Sequence, residues 1–474
     1  MDARHDRLDS AVITAQSVSF SYENSRAVSL EIGDLQIPAG QFVVVCGPSG
    51  SGKSTFLKLL NGLIPDYFAG QLEGRLTVGD LQAGASRVEE LAGQVASVFQ
   101  NPASQFFHKL VKEELVFPAE NQGRPVKNIL SQLQQLVTDF ALTDYLDREM
   151  NSLSGGEKQR MALLTAIMQD SPILVLDEPT ANLDRAGVQQ VREHLQALKA
   201  AGKTILLAEH RLDYVGDLAD RYLYFDQGRL VADWSAERFI DMTEAERHQL
   251  SLRSLRLPDL TCLAGQALST KGLTVKNLVL KAGQQDLGVL EEVAFARGAV
   301  TAVVGKNGVG KSTLAHYLVG LLEDKSAQFI LDGQDLTAKH RLQKTALVLQ
   351  EVRLQLFTES VTKELTLGLK RAVDTELVCQ KLGLQGLKHR HPMTLSGGEQ
   401  QRLVIASQLL SYKDIFIFDE PTSGLDYQQM QAVAQVLQEL KAQQKVVILI
   451  SHDEELLALV ADEVVHLPQN YHKL

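Results

Sequence analysis

The sequence predicts an α/β protein built as two phosphate-loop domains in tandem, each with a mixed sheet core and an inserted helical subdomain. Three observations predict it. The octapeptide LSGGEKQR, Leu153 to Arg160, returns as LSGGEQQR, Leu395 to Arg402. Each copy follows its own glycine loop of the pattern G-x-x-x-x-G-K-[ST]. Short apolar runs alternate with helical segments in both halves, the pattern of a sheet with helices packed on it.

A half-buried strand opens the first domain, read from the alternation Val12, Thr14, Gln16, Val18, Phe20. Apolar runs Phe42 to Val45 and Val300 to Val304 are buried strands leading into the loops, and apolar helical patterns, Phe56 to Leu63 and Leu314 to Leu322, follow them. Leu174 to Leu176, Ile205 to Leu207, Ile415 to Phe418 and Val446 to Ile450 have the length and composition of buried parallel strands. Between Gln100 and Ser154, and between Gln350 and Ser396, the pattern turns mainly helical. The expected division is a first domain over 11–240, a polar linker over 241–270 and a second domain over 271–468.

The first loop contains Gly47, Gly50, Gly52, Lys53, Ser54 and Thr55; the second contains Gly305, Gly308, Gly310, Lys311, Ser312 and Thr313. Glycines let successive backbone N–H groups converge on phosphate oxygens, the lysine adds a mobile positive charge, and Ser54 or Ser312 completes a magnesium shell. Asp177-Glu178 and Asp419-Glu420 each close an apolar strand, at the edge where open α/β sheets bind ligands. The aspartates are assigned to magnesium and the glutamates to the water that attacks a γ-phosphate. His210 and His452 follow the next apolar strand, poised for a phosphate or the nearby glutamate; Gln100 and Gln350 offer amides to magnesium or water. Spacing supports these assignments as a set: 177 − 154 and 419 − 396 are both 23, and 210 − 177 and 452 − 419 are both 33. A solvated acidic strand end or a structural histidine would not repeat that way. The signatures place Ser154-Gly155-Gly156 and Ser396-Gly397-Gly398 ahead of helices, a second anion-binding arrangement in a domain that already has one.

Composition narrows the function classes. With 474 residues the chain exceeds one ordinary core, and a formal charge of −11 disfavours nonspecific nucleic-acid binding. No apolar stretch approaches the roughly 18 to 20 residues that span a bilayer, and the polar start lacks a signal peptide's apolar core, so a cytosolic protein is expected. Cys46, Cys262 and Cys379 are scattered without paired spacing, which argues for reduced thiols rather than disulfides or zinc.

Phosphate loop, glutamine, LSGGE-Q-R, Asp-Glu-Pro-Thr, then Asn182-Leu183-Asp184 or Gly424-Leu425-Asp426, then histidine, in that order and twice over, resembles the ABC ATPases across nearly the whole chain. The resemblance implies ATP with Mg2+ and two domains paired head to tail, each ATP held between one phosphate loop and the other domain's signature. Lys53, Ser54, Gln100, Asp177, Glu178 and His210 would then share a site with Ser396-Gly397-Gly398. Lys311, Ser312, Gln350, Asp419, Glu420 and His452 would share one with Ser154-Gly155-Gly156. The run from Phe99 to Phe107 and the Glu209-His210-Arg211 switch look like the fused ATPases of energy-coupling factor (ECF) importers. That branch implies a transmembrane T component, a substrate-binding S component, and a peripheral place on the cytoplasmic face of the membrane. Rival classes are soluble ABC proteins of ribosomes or DNA, marked by charged linkers, coiled coils or zinc modules, and sugar-importer tandem ATPases, whose two sites commonly diverge. Here both sets are intact.

The halves are not identical. Tyr22 occupies the place where the family stacks an aromatic ring on adenine, whereas alignment of Leu273-Thr274-Val275 with Ile13-Thr14-Ala15 puts Ala282 opposite it. The second glutamine loop has Glu351-Val352 where the first has Asn101-Pro102, so the two docking faces are expected to differ.

Overall fold

The computed structural model describes residues 11–23, 27–181, 183–260, 264–265, 271–283, 285–369 and 373–467. Cys262 and Asn182 lie outside them. The chain divides into two compact units, Met1–Leu255 and Arg256–Leu474.

In the first unit five parallel strands run side by side in the order Val95–Val98, Ile173–Asp177, Thr204–Ala208, Phe42–Cys46 and Arg221–Asp226. The central three are apolar along their length because helices cover both faces. Antiparallel strands extend this sheet: Arg229–Ser235 pairs with Arg221–Asp226 and then touches Leu30–Ile32, which pairs with the long strand Ala11–Tyr22. The sheet is therefore mixed, as expected. In the second unit the parallel order recurs as Thr345–Val348, Ile415–Asp419, Val446–Ile450, Ala299–Val304 and Glu463–His466. Among the described residues its antiparallel strands form a separate sheet around the hairpin Gly272–Ala282 with Gln285–Ala296.

The first strand differs from its predicted phase. Ile13 and Ala15 are buried where Val12, Thr14 and Gln16 were expected, whereas Val18 and Phe20 face inward as read. Ser17, at φ 47°, sits in a break of register between Gln16 and Ser19, and one extra residue turns the strand's other face to the core. The helices after the loops also start and stop earlier than predicted, at Lys53–Leu60 and Lys311–Val319. Gly62 at φ 77° and Gly320 at φ 91° adopt the left-handed backbone that ends a helix.

Helices Val111–Asn121 and Val126–Asp139 form the first inserted subdomain, whose Val111, Leu115 and Leu136 pack with Met161 and Leu164 of the signature helix Gly155–Gln169. The second insertion has two shorter helices, Val361–Thr366 and Glu376–Lys381, packed in one cluster with Leu403 of the helix Gly397–Leu409. Residues 241–255, expected as connection, contribute the helix Glu244–Gln249 and buried side chains to the first unit. Cys46 and Cys379 are free and buried.

Candidate nucleotide sites

Each phosphate loop is held in shape by its own lysine. Lys53 Nζ donates to the carbonyls of Gly47 and Pro48 at 2.9 and 2.8 Å, and Lys311 Nζ to those of Gly305 and Lys306 at 2.7 and 3.1 Å. The loop begins at a position only glycine fits: Gly47 lies at φ 139°, and a Cβ there would stand 2.0 Å from the carbonyl oxygen of Phe225. Gly305 repeats the constraint against Leu467. Ser51 Oγ, buried in the first loop, has no hydrogen-bond partner among the described residues, as suits a cradle built for phosphate oxygens.

Beside the loop, Ser54 Oγ donates to Asp177 Oδ1 at 3.1 Å, and Ser312 bonds Asp419 likewise. One hydroxyl and one carboxylate are hard oxygen donors, too few for a cage. No group of three or more acidic, histidine or cysteine ligands exists among the described residues. That set fits magnesium, which keeps waters and arrives with nucleotide phosphates.

Glu178 is buried, accepts a hydrogen bond from Gln100 Nε2 at 2.9 Å, and is approached by His210 Nε2 at 3.5 Å. Glu420 accepts from the backbone N–H of His452 at 3.3 Å, with the imidazole Nε2 at 3.8 Å. Gln350 holds the matching place after Thr345–Val348. Both glutamates have left-handed backbones, φ 48° and 50°, which cost an ordinary residue about 1–3 kcal/mol each. Hydrogen bonds from Glu178 N to Ala208 O (2.8 Å) and from Glu420 N to Ile450 O (2.9 Å) impose that turn, aiming each carboxyl away from its strand. Burial, then the adjoining aspartate, pushes each glutamate up to about 8. Burial first, then Lys53, holds His210 well below its ordinary range, so its imidazole is neutral.

A stability prediction follows. Both glutamates bind their protons more tightly folded, near 8, than unfolded, at 4.5, so the folded state carries the extra protons between those values. Their stabilising contribution is complete below the unfolded value and is lost as pH rises through about 8. In thermal melts, the nucleotide-free protein should lose stability more steeply from about pH 6 to pH 8 than a Glu178→Gln, Glu420→Gln variant. Parallel slopes would contradict the burial of these carboxyls.

Tyr22 OH lies 3.1 Å from Thr55 Oγ1, which brings its ring beside the first loop's helix. The signature serines are helix caps: Ser154 Oγ accepts from Glu157 N and Ser396 Oγ from Glu399 N, both at 3.3 Å, while each glutamate accepts in return from its serine's N–H. Ser154, Gly155, Ser396 and Gly397 are exposed. The two switches are anchored differently, which sequence reasoning missed. Thr180 is bonded to the buried carboxyl of Glu209, just before His210. Thr422 instead donates at 2.6 Å to Asp453, just after His452, which caps the helix Glu454–Val460. The residue types Glu209 and Ser451 are the signal that could have revealed it.

A family model described as ABC transporter matches residues 30–181 and 292–423. A Treponema denticola protein described as "Putative ABC transporter ATP-binding protein" is 38% identical over 96% of this chain and 95% of its own length. Bacillus subtilis has a "Putative HMP/thiamine import ATP-binding protein YkoD", 28% identical over 96% of this chain and 90% of its own. The solved structure titled "RNase-L Inhibitor" shares the fold, with a TM-score of 0.66 at 22% identity, over 95% of this chain and 88% of that one.

Proposed function

Because this chain is a tandem ATPase of the ABC transporter family, we propose that it powers an ECF-type importer of a vitamin, a vitamin precursor or a metal ion. The observation that carries the transport reading is a pair of exposed aromatic rings. Phe107 and Phe357, each 76% exposed, stand seven residues after Gln100 and Gln350. Each lies on a turn whose backbone is gripped from below by a buried carboxylate. Glu114 accepts the N–H groups of Phe107 and His108 at 2.8 and 2.7 Å; Glu364 accepts those of Phe357 and Thr358 at 3.0 and 2.8 Å. A rigid turn offering a large apolar ring to water suits an interface anchor. The occupants in this reading are the coupling helices of a T component, with an S component holding the cargo. No helix among the described residues is long and apolar enough to cross a membrane. In this reading those partners hold the chain at the cytoplasmic face.

In this reading Lys53 and Lys311 turn from loop carbonyls to nucleotide phosphates. Magnesium bound with ATP supplies Lewis-acid charge, with Ser54 and Asp177, or Ser312 and Asp419, to hold it. Glu178 and Glu420 take a proton from the attacking water, which a base with a raised pKa does efficiently near neutrality. Gln100 and His210 orient Glu178; His452 does the same for Glu420, with Gln350 at the water. Each nucleotide is completed by the other half's signature, Ser396-Gly397-Gly398 for the first loop and Ser154-Gly155-Gly156 for the second. Triphosphate then favours closure of the halves, and hydrolysis releases it.

A mild-detergent pull-down of the tagged chain from native membranes tests the proposal. It should recover two small hydrophobic proteins; ribosomal or DNA-bound partners would overturn it. Anchor residues are worth about 2 kcal/mol or more, so Phe107→Ala with Phe357→Ala should cut recovery by about tenfold or more. ATP binding by the same variant should stay unchanged.

A further inference from the structure

Two buried side chains tie the acidic strand end of the first unit to its histidine switch. Thr180, two residues after Glu178, donates through its hydroxyl to the carboxyl of Glu209, one residue before His210. Thr180 is 0% exposed and Glu209 2%. Backbone bonds run alongside: Glu178 N donates to Ala208 O at 2.8 Å, and Glu209 N to Val45 O at 3.4 Å. Within this frame His210 Nε2 stands 3.5 Å from Glu178 Oε1. The second unit keeps the tie and changes its residues. Thr422 has the same spacing from its histidine, since 210 − 180 and 452 − 422 are both 30. It donates at 2.6 Å to Asp453, one residue after His452 rather than one before. Ser451 occupies the place of Glu209 and is also buried.

We infer that Glu209 is a positioning residue of the first nucleotide site, whose carboxyl holds the turn after Glu178 against the switch and so keeps Glu178 and His210 in register. The inference rests on the reading of that site as an ATP site. Filling the strand end does not explain Glu209, because a buried serine fills the matching place in the second unit. A buried carboxyl is costly where packing is all that is needed. What the two units share is a threonine two residues after the glutamate and a carboxyl on the switch that receives its hydroxyl, supplied from opposite sides of the histidine. The tie recurs although the residues that make it differ. A link between the two strand ends acts on the placement of Glu178 relative to His210, and small displacements of a reacting group are felt in rate. The phosphate loop takes no part in the tie, so the effect falls on hydrolysis rather than on ATP affinity.

The test uses the full chain carrying Glu420→Gln, in which only the first site keeps its base, with single-turnover hydrolysis and calorimetric binding of ATP. Glu209→Ala should slow hydrolysis by about tenfold or more, the worth of a buried hydrogen bond to a carboxyl, and leave ATP affinity within about twofold. Glu209→Gln, whose amide oxygen still accepts from Thr180, should recover most of the rate. Thr180→Val removes the hydroxyl from the other side and keeps the shape. It should match Glu209→Ala, and the two together should lose no more than either alone. If Glu209→Ala does not fold, Thr180→Val alone decides. An unchanged rate, losses that multiply, a glutamine variant no better than alanine, or affinity falling in step with rate would overturn the inference. Nucleotide-free protein gives a second reading that needs no turnover. The Leu183 amide, which donates to Thr180 O at 3.1 Å, should exchange about tenfold faster in Glu209→Ala and at the parent rate in Glu209→Gln. Equal exchange in all three would count against the tie in the same way. Failure of the parent Glu420→Gln chain to bind ATP would instead defeat the ATP-site reading itself.

Discussion

The Glu178→Gln, Glu420→Gln double variant will bind ATP and hydrolyse it more slowly by about a hundred- to ten-thousand-fold, the range for loss of a positioned general base. Glutamine keeps the length of the side chain, and its amide oxygen can still accept the hydrogen bond that Gln100 gives Glu178. The left-handed turn is imposed by backbone bonds to Ala208 and Ile450, so the substitution leaves it in place. What disappears is the group that accepts water's proton. ATP should therefore co-elute with the variant in gel filtration while single-turnover hydrolysis fails. Either single variant should retain one working base. Wild-type turnover in the double variant would remove both glutamates from the chemistry.

Where most of the candidate residues lie was legible because each group is local in sequence. A phosphate loop, an acidic strand end and a histidine one strand later each declare themselves within a few residues, and the parallel order carries them to one sheet edge. Buried runs such as Val446–Ile450 were legible for the same reason. What sequence did not disclose depends on backbone conformation or distant partners. Alternation from Val12 to Phe20 reads as one face, yet the left-handed Ser17 makes it two. The apolar pattern beyond Leu60 continues helical hydrophobicity, but Gly62 stops the helix. Thr180 meets Glu209 across 29 residues, and nothing local to either announces the other. Arg253 sits in a stretch whose polarity reads as linker, yet it is buried beside Leu252, which packs into the first unit's core.

Affinity at the two sites should differ, the first binding ATP more tightly by about 5- to 150-fold, because base–aromatic stacking is worth roughly 1–3 kcal/mol. In the first unit the ring of Tyr22 is braced on both sides, its hydroxyl at Thr55 Oγ1 and its edge against Phe20, centroids 4.8 Å apart at 83°. The backbone supports the alignment that denies the second unit this ring. Ser17 and Asn277 are the left-handed residues of corresponding strands, φ 47° and 54°, and 277 − 17 equals 282 − 22 at 260. The tyrosine's counterpart is thus Ala282, and no aromatic residue lies between Gly272 and Glu292. Leu287 Cδ1 would stand 2.8 Å from a Cβ on Gly310, much as Leu30 Cδ1 would stand 3.2 Å from one on Gly52, so this leucine is common to both loops and does not replace the ring. Lys311→Ala, which spares the first site, should therefore bind ATP more tightly than Lys53→Ala, which spares the second. Tyr22→Ala added to Lys311→Ala should bring the first site down to the second. Equal affinities in the two lysine variants would mean that another group supplies the missing platform, and the two sites would then have to be treated as equivalent in binding as well as in catalytic residues.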